Sequence, residues 1–375
     1  MGFVQLTDAY PWDALAPYLE RAGRHPDGVV DLSIGTPVDP TPLVVQDALA
    51  DAADAPGYPT AHGTPALRAA VVDWFARCRG VAGLDPAGVL PTIGSKEFVA
   101  ALPSLLGLGP GDKVVVPSAA YPTYDVGARL AGAQVVVADD AAAWAGDAAV
   151  RLVWVNSPSN PTGEVLGAER LRAVVRAARE IGAVVASDEC YAQLPWASPW
   201  TDDGVPCLLQ ESVAEGDRSG LLVVYSLSKQ SNVAGYRAAF AAGDPDLIER
   251  ILLLRRHMGM MIPAPVQAAM IAALGDDAHV DAQRETYRAR RELMVSALTT
   301  AGYAVDHSEA GLYLWVRPAA GGGDCWSTLG DLADAGIIAG PGAFYGEAAA
   351  SHVRIALTAT DERIRAAAQR LSSMR

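Results

Sequence analysis

Short apolar runs separated by amphipathic stretches recur along most of this chain. VLPTIG (89–94), KVVVPS (113–118), QVVVAD (134–139), RLVWVN (151–156), AVVASDE (183–189), LLVVYS (221–226) and RAAFAAG (237–243) each read as a strand. Several are apolar throughout, the pattern of strands that helices cover on both faces. Helical periodicity fills the gaps at 95–106, 122–131, 168–181 and 245–258. Together they predict an α/β unit with a mostly parallel, seven-stranded sheet. Upstream, an amphipathic helix around Trp12–Ala22 lies in an N-terminal arm, VVDLS (29–33) reads as a strand and IGTPVDPTP (34–42) as a tight turn. A helix over 43–54 follows, and then one that Thr64 caps, Pro65 opens and Gly80 ends. From about 279 the register changes to a charged helix (279–300), YAVDHS, GLYLWVRP (311–318), a helix at 326–335, VRIALTA (353–359) and a final helix from Asp361. That is a smaller α+β unit. The expected division is an arm and part of the small domain at 1–35, a large domain at 36–275 and a small domain at 276–375.

Composition agrees with two domains, because single cores stop growing near roughly 250–300 residues and this chain has 375. Hydrophobic residues make up 51% and charged ones 19%, enough apolar surface for a large core. The net charge of −14 argues against nucleic acid, whose phosphates need a basic face. No apolar run approaches the ~20 residues of a membrane span. The N-terminus has neither the basic nor the apolar region of a secretion signal, so a cytoplasmic location is expected. Cys78, Cys190, Cys207 and Cys325 are far apart and the six histidines are scattered, which fits a reducing compartment and predicts no metal site.

Ligands of open α/β sheets bind beyond the carboxyl ends of the strands. Strand 221–226 delivers Ser226 and then Lys229 in a loop of small hydroxyl residues, where a lysine is well placed to form a Schiff base. Arg237, farther along, offers a planar fork of donors to a phosphate. Alone, this segment reads equally well as a surface loop with two ordinary cations. The other strand ends supply Gly94-Ser95-Lys96 at a helix start, Tyr121, Asn156 through Asn160-Pro161, and Asp188 with Tyr191. Each also has a structural reading: a helix cap, a packing aromatic, a bare turn, an ion-pair carboxylate. Jointly they suggest pyridoxal phosphate, which needs a lysine, an acid for its ring nitrogen, a stacking group and an anion site. Gly107-Leu108-Gly109-Pro110-Gly111 is set aside as a dinucleotide fingerprint because it precedes a strand.

At this point NSPSNPTG (156–163), SDECY (187–191), SLSK…GYR (226–237) and VRIALT (353–358) resemble, in order and spacing, the fold-type I pyridoxal-phosphate aminotransferases of class I/II. The resemblance covers nearly the whole chain. It implies that Lys229 carries the cofactor and moves the substrate proton. Asp188 would pair with the ring nitrogen, Tyr191 and Asn160 would bond the phenolic oxygen, and Tyr121 would stack on the ring. Gly94, Ser95, Lys96, Ser226 and Arg237 would hold the phosphate. Arg354 would clamp the substrate α-carboxylate, with Gly35 and Asn160 lining the same pocket. Tyr58 would reach the phosphate of a neighbouring subunit in a homodimer.

A finer resemblance, to actinobacterial-type N-succinyldiaminopimelate aminotransferases, rests on YPWDALA (10–16), HPDGVVDLSIGTPVDPTP (25–42), AYPTYDVGARLAGA (120–133), SLSKQSNVAGYRAAF (226–240) and MGMMIPAPVQAAM (258–270). Gln230 departs from it, standing where an arginine or small residue is expected. The implied reaction is ping-pong transamination between glutamate and N-succinyl-2-amino-6-ketopimelate, in lysine and diaminopimelate biosynthesis. Arg129, Arg255 and Arg256 are candidates to read the succinyl end. Transamination of aspartate, alanine or an aromatic amino acid, a C–S lyase or decarboxylase, and a non-catalytic cofactor-sensing domain are the alternatives.

Overall fold

The structure is a computed structural model, and it describes residues 11–374. Tyr10, the first residue of the YPWDALA stretch, and the arm's earlier residues lie outside the described range. Seven strands form the central sheet, in the order Val89–Ile93, Ala238–Gly243, Leu221–Ser226, Val184–Asp188, Val150–Asn156, Lys113–Val116, Gln134–Val137. Neighbours are parallel except along Ala238–Gly243, which runs antiparallel to the strand on either side. All seven expected strands are present.

The all-apolar runs have the cause their pattern predicts. Leu221–Ser226 and Ala238–Gly243 are buried along their whole length. On one side Trp74, Phe75, Tyr225 and Phe240 form an aromatic cluster with centroids 4.5–6.0 Å apart. The opposite side buries Phe98, Tyr124, Trp154 and Ile251. The expected cap appears as well: the Thr64 hydroxyl accepts from the Leu67 N–H at 3.1 Å, Pro65 opens the helix Pro65–Arg79, and Gly80 ends it at φ +61°.

A third core joins Leu15, Val30 and Leu32 of the N-terminal part to Tyr287, Met294, Leu314, Ile337, Val353 and Leu371. Here Val30–Asp31 pairs in parallel with Ile337–Ile338. A four-stranded antiparallel sheet, ordered Gly340–Pro341, Val353–Ala356, Tyr313–Pro318, Tyr303–Asp306, completes the smaller α+β unit. Expectation and structure differ at Ala264–Gly275, a helix with no periodic signal in the sequence. It packs against both Leu43–Asp51 and Pro65–Arg79, so its apolar residues face more than one neighbour and no polar stripe marks a free side. Ile337–Ile338 and Gly340–Pro341 are too short for alternation to show. No helix among the described residues is long and apolar enough to cross a membrane.

One of the joints between the two units is a turn. The Ser308 N–H donates to the Thr162 carbonyl at 3.0 Å, and those of Glu309 and Ala310 to the Gly163 carbonyl at 3.0 and 3.1 Å. Gly163 has φ +75°, and a Cβ there would lie 2.8 Å from both the Ala310 carbonyl oxygen and the Ser308 Cα. Gly163→Ala is therefore expected to destabilise the protein by about 1–3 kcal/mol, combining left-handed strain with a backbone clash. A lowered denaturation midpoint in urea checks this; an unchanged midpoint contradicts it.

Candidate active site

Strand register assembles the first part of the site. Ile93 lies opposite Ala238 and Ser226 opposite Ala239, so the antiparallel strand begins where its two neighbours end. Gly94 and Arg237 therefore meet, and the Gly94 N–H donates to the Arg237 carbonyl at 2.8 Å. A Cβ on Gly94 would stand 2.0 Å from an Arg237 guanidinium nitrogen, which leaves room only for glycine. Gly94 opens the helix Ser95–Leu105, whose first N–H groups have no preceding turn to satisfy them. The hydroxyls of Ser226 and Ser228 lie 2.8 Å apart beside this corner. A helix start, a guanidinium and two hydroxyls make an anion cradle. Lys96 is exposed at its margin, its ammonium 5.9 Å from the Tyr121 ring centre.

Arg255 proves to be part of the scaffold. It is fully buried and pairs with Glu97 at 2.5 and 3.2 Å, while Glu97 also accepts from the Ile93 N–H at 3.2 Å. Its guanidinium braces the first turn of the cradle helix, which corrects the expectation that it reads a distal substrate group. Arg129 is tied to Asp125 at 2.8 Å on the surface of its own helix.

The next strand ends carry the acid. Asn156 and Asp188 are register partners. The Asn156 amide donates to the Asp188 carbonyl at 3.0 Å, and its oxygen accepts from the Asn160 N–H at 2.8 Å, so one side chain sets both motifs. The Asp188 carboxylate accepts from the Tyr124 hydroxyl at 3.0 Å and the Cys190 N–H at 3.2 Å. Burial pushes its pKa up, and these hydrogen bonds offset only part of the rise. Tyr124 is held by stacking on Trp154, with centroids 4.9 Å apart. Half-buried Tyr121 meets Tyr124 edge-on at 5.9 Å.

Lys229 donates to the Gly35 carbonyl. Gly35 in turn leaves space for Tyr313, whose hydroxyl oxygen would stand 2.2 Å from a Cβ there. The Tyr313 and Tyr191 hydroxyls are 3.3 Å apart. Burial raises the Tyr313 pKa, but the Arg354 and Lys229 cations outweigh it and the net direction is down. Gln230 is buried and accepts from the Tyr225 hydroxyl, so it serves the loop's interior.

Arg354 closes the site from the smaller unit. It is 4% exposed, donates to the Asn160 side-chain oxygen at 2.8 Å and the Ser33 carbonyl at 2.7 Å, and lies 4.0 and 5.0 Å from the Tyr313 and Tyr345 ring centres. The other deeply buried arginines, Arg79, Arg255 and Arg290, pair with Glu189, Glu97 and Asp39. Arg354 has no carboxylate partner among the described residues. A buried cation in this state is matched to an incoming anion.

The structure thus gathers Gly35, Gly94, Ser95, Asn160, Asp188, Tyr191, Ser226, Lys229, Arg237 and Arg354 around one cleft. Tyr58 stands apart, 97% exposed. Tyr124, Tyr313, Tyr345 and Ser33 are not singled out from the sequence, although Ser33 and Tyr124 fall within the stretches 25–42 and 120–133 that carry the finer resemblance.

A family model described as "Aminotransferase class I and II" matches residues 27–371. The 4-dedimethylamino-4-oxo-anhydrotetracycline transaminase OxyQ of Streptomyces rimosus is 54% identical over 97% of this chain and 98% of its own. "Probable aminotransferase Rv1178" of Mycobacterium tuberculosis is 55% identical over 97% and 85%. Among solved structures, a single-mutant aspartate aminotransferase of Thermus thermophilus is 26% identical and superposes with a TM-score of 0.87 over 100% of both chains.

The Asp188 environment makes a signed prediction. A carboxyl whose pKa is raised in the folded state binds more protons there than when unfolded, so stability falls as pH rises above the unfolded pKa of about 4. In protein stripped of small molecules, Asp188→Asn should melt above the unsubstituted chain at pH 7, with the gap narrowing toward pH 4. The Tyr124 hydroxyl can reverse and accept from the new amide. Melting curves at several pH values check this, and a gap that widens on acidification contradicts it.

Proposed function

The chain belongs to the class I and II aminotransferases, enzymes that use pyridoxal 5′-phosphate, and from that premise we propose that Lys229 carries the cofactor and that the substrates are glutamate and N-succinyl-2-amino-6-ketopimelate. The residues present fit the group. Arg237 fills the space that any side chain on Gly94 would take, leaving a backbone cradle for the phosphate with Ser95, Lys96 and Ser226. Asp188, buried with its pKa pushed up by burial, would pair with the pyridine nitrogen. Tyr121 offers a ring face, and Tyr191 and Asn160 offer hydrogen bonds to the phenolic oxygen. When bound, the cofactor holds the substrate nitrogen and withdraws electrons from the α-carbon.

The observation that carries the reading is Arg354, buried without a carboxylate and backed by two tyrosine rings. Its planar fork takes the substrate α-carboxylate through two parallel hydrogen bonds. That contact would aim the α-hydrogen at Lys229, whose amine, once freed from the cofactor by the incoming substrate amine, would take up the proton and hand it back. Tyr58, 97% exposed, reaches the neighbouring subunit's phosphate in a homodimer. The succinylated substrate is supported by the stretches at 25–42, 120–133, 226–240 and 258–270. OxyQ favours a second reading, since its name places amino transfer on a tetracycline-type ketone.

Lys229→Ala is expected to lose the visible absorbance of lysine-bound cofactor together with all turnover; retained turnover rejects the assignment. For the purified protein, glutamate should bleach that band, and the succinylated keto acid should restore it. Restoration by a polycyclic ketone alone would favour the second reading. Arg354→Lys should lower kcat/KM for glutamate by about 10²-fold, because an ammonium cannot reproduce the bidentate contact.

A further inference from the structure

The helix Ala278–Thr300 carries His279, Gln283, Tyr287 and Arg290 at steps of four, four and three, which lines them along one face. Gln283, Tyr287 and Arg290 are buried, and the His279 side chain is nearly so. The chemistry described above uses none of them. Polar groups at this depth require partners. Asp276 and Asp361 supply two of them, and most of the rest come from two segments: the loop that follows Lys229 and the turn that follows Gly35.

His279 bonds the Ser231 hydroxyl at 2.8 Å through Nε2 and Asp276 at 3.0 Å through Nδ1. The Asn232 amide donates to Gln283 at 2.7 Å, and the Gln283 amide donates to Asp39 at 2.9 Å. The Tyr287 hydroxyl donates to the Asn232 side-chain oxygen at 3.5 Å. Arg290 holds Asp39 through two hydrogen bonds of 2.6 and 2.8 Å and reaches Asp361 at 2.7 Å. The two segments also bond each other, since Thr41 donates to the Asn232 carbonyl at 2.9 Å and Asn232 to the Pro40 carbonyl at 3.3 Å. Asn232 sits at φ +53°, a left-handed conformation that these contacts hold in place.

Lys229 donates to Gly35, so both ends of that contact are gripped by one helix face. We propose that the His279–Gln283–Tyr287–Arg290 face is the positioning element for Lys229. It sets the amine against the Gly35 carbonyl. The same helix packs on the final helix Asp361–Ser372 of the unit that bears Arg354, so it also sets the lysine relative to the carboxylate clamp. Gln283 is the keystone, because it alone bridges the two segments with both ends of one amide. This inference rests on the role given to Lys229 above.

The test uses the holoenzyme carrying Gln283→Leu, with Glu285→Ala on the exposed side of the helix as control. In Gln283→Leu, the pH midpoint of the visible absorbance should move by roughly half a unit or more. Amide hydrogen exchange across residues 227–232 should quicken about tenfold. Turnover should fall about tenfold while KM for glutamate stays within about threefold. The control should match the unsubstituted protein. A lower melting temperature with midpoint and exchange unchanged would show that the stripe only glues the units together, and would overturn the proposal. Should Gln283→Leu fail to fold, Asn232→Gly keeps the left-handed backbone and removes the amide, and the same readouts decide. If the unsubstituted protein has no visible band, the assignment of Lys229 fails instead, a result distinct from either of these.

Discussion

Arg354 is a guanidinium buried beneath aromatic rings with no carboxylate to neutralise it, and much of the architecture is arranged around that charge. Removing a cation from water costs several kcal/mol unless its surroundings return the lost interaction. Here the return comes from four separate places: the Ser33 carbonyl, the Asn160 amide oxygen and the faces of Tyr313 and Tyr345. These neighbours lower the cost without cancelling the charge, so the terminal nitrogens keep their attraction for an anion. The three other deeply buried arginines are spent on structure. Arg79 fixes Glu189, the residue after Asp188, Arg255 braces the cradle helix, and Arg290 anchors the turn after Gly35. The contrast separates binding from scaffolding more sharply than burial alone.

At the opposite end of the cleft the determining feature is a strand direction. Because Ala238–Gly243 runs against its neighbours, its first residues return to the edge where Val89–Ile93 and Leu221–Ser226 finish. An anion cradle then forms from three distant segments with no metal ligand set among the described residues. One end of the cleft is built on the large sheet and the other on the smaller unit. The Gly163 turn and the helix Ala278–Thr300 hold the two ends at a fixed separation.

Much of this was legible beforehand, for identifiable reasons. Strands covered on both faces show as unbroken apolar runs, and functional groups collect at their carboxyl ends, so Asp188, Asn160, Ser226 and Lys229 stand out as a set, though each alone also has a structural reading. What escaped depends on faces rather than on runs. Ala264–Gly275 is covered by more than one neighbour and has no polar stripe to set its period. His279, Gln283, Tyr287 and Arg290 have the spacing of a solvated helix face, and only tertiary contact shows that face to be inside. Arg255 followed the same logic, a charged residue in a helix that turned out to brace Glu97. Tyr313 and Tyr345 are ordinary strand and loop aromatics until the fold lays them against Arg354.

The order in which these pieces occur along the polypeptide has a consequence for biosynthesis. Gly94, Asp188, Ser226, Lys229 and Arg237 have all been synthesised once the strand Ala238–Gly243 is made, and domains generally fold as units, N-terminal first, during synthesis. Arg354, by contrast, bonds a carbonyl 321 residues earlier in the chain, a contact that closes only when synthesis is nearly complete. The residues of the anion cradle thus exist well before Arg354 does. The two ends of the site meet only once the last strand, Val353–Ala356, is in place.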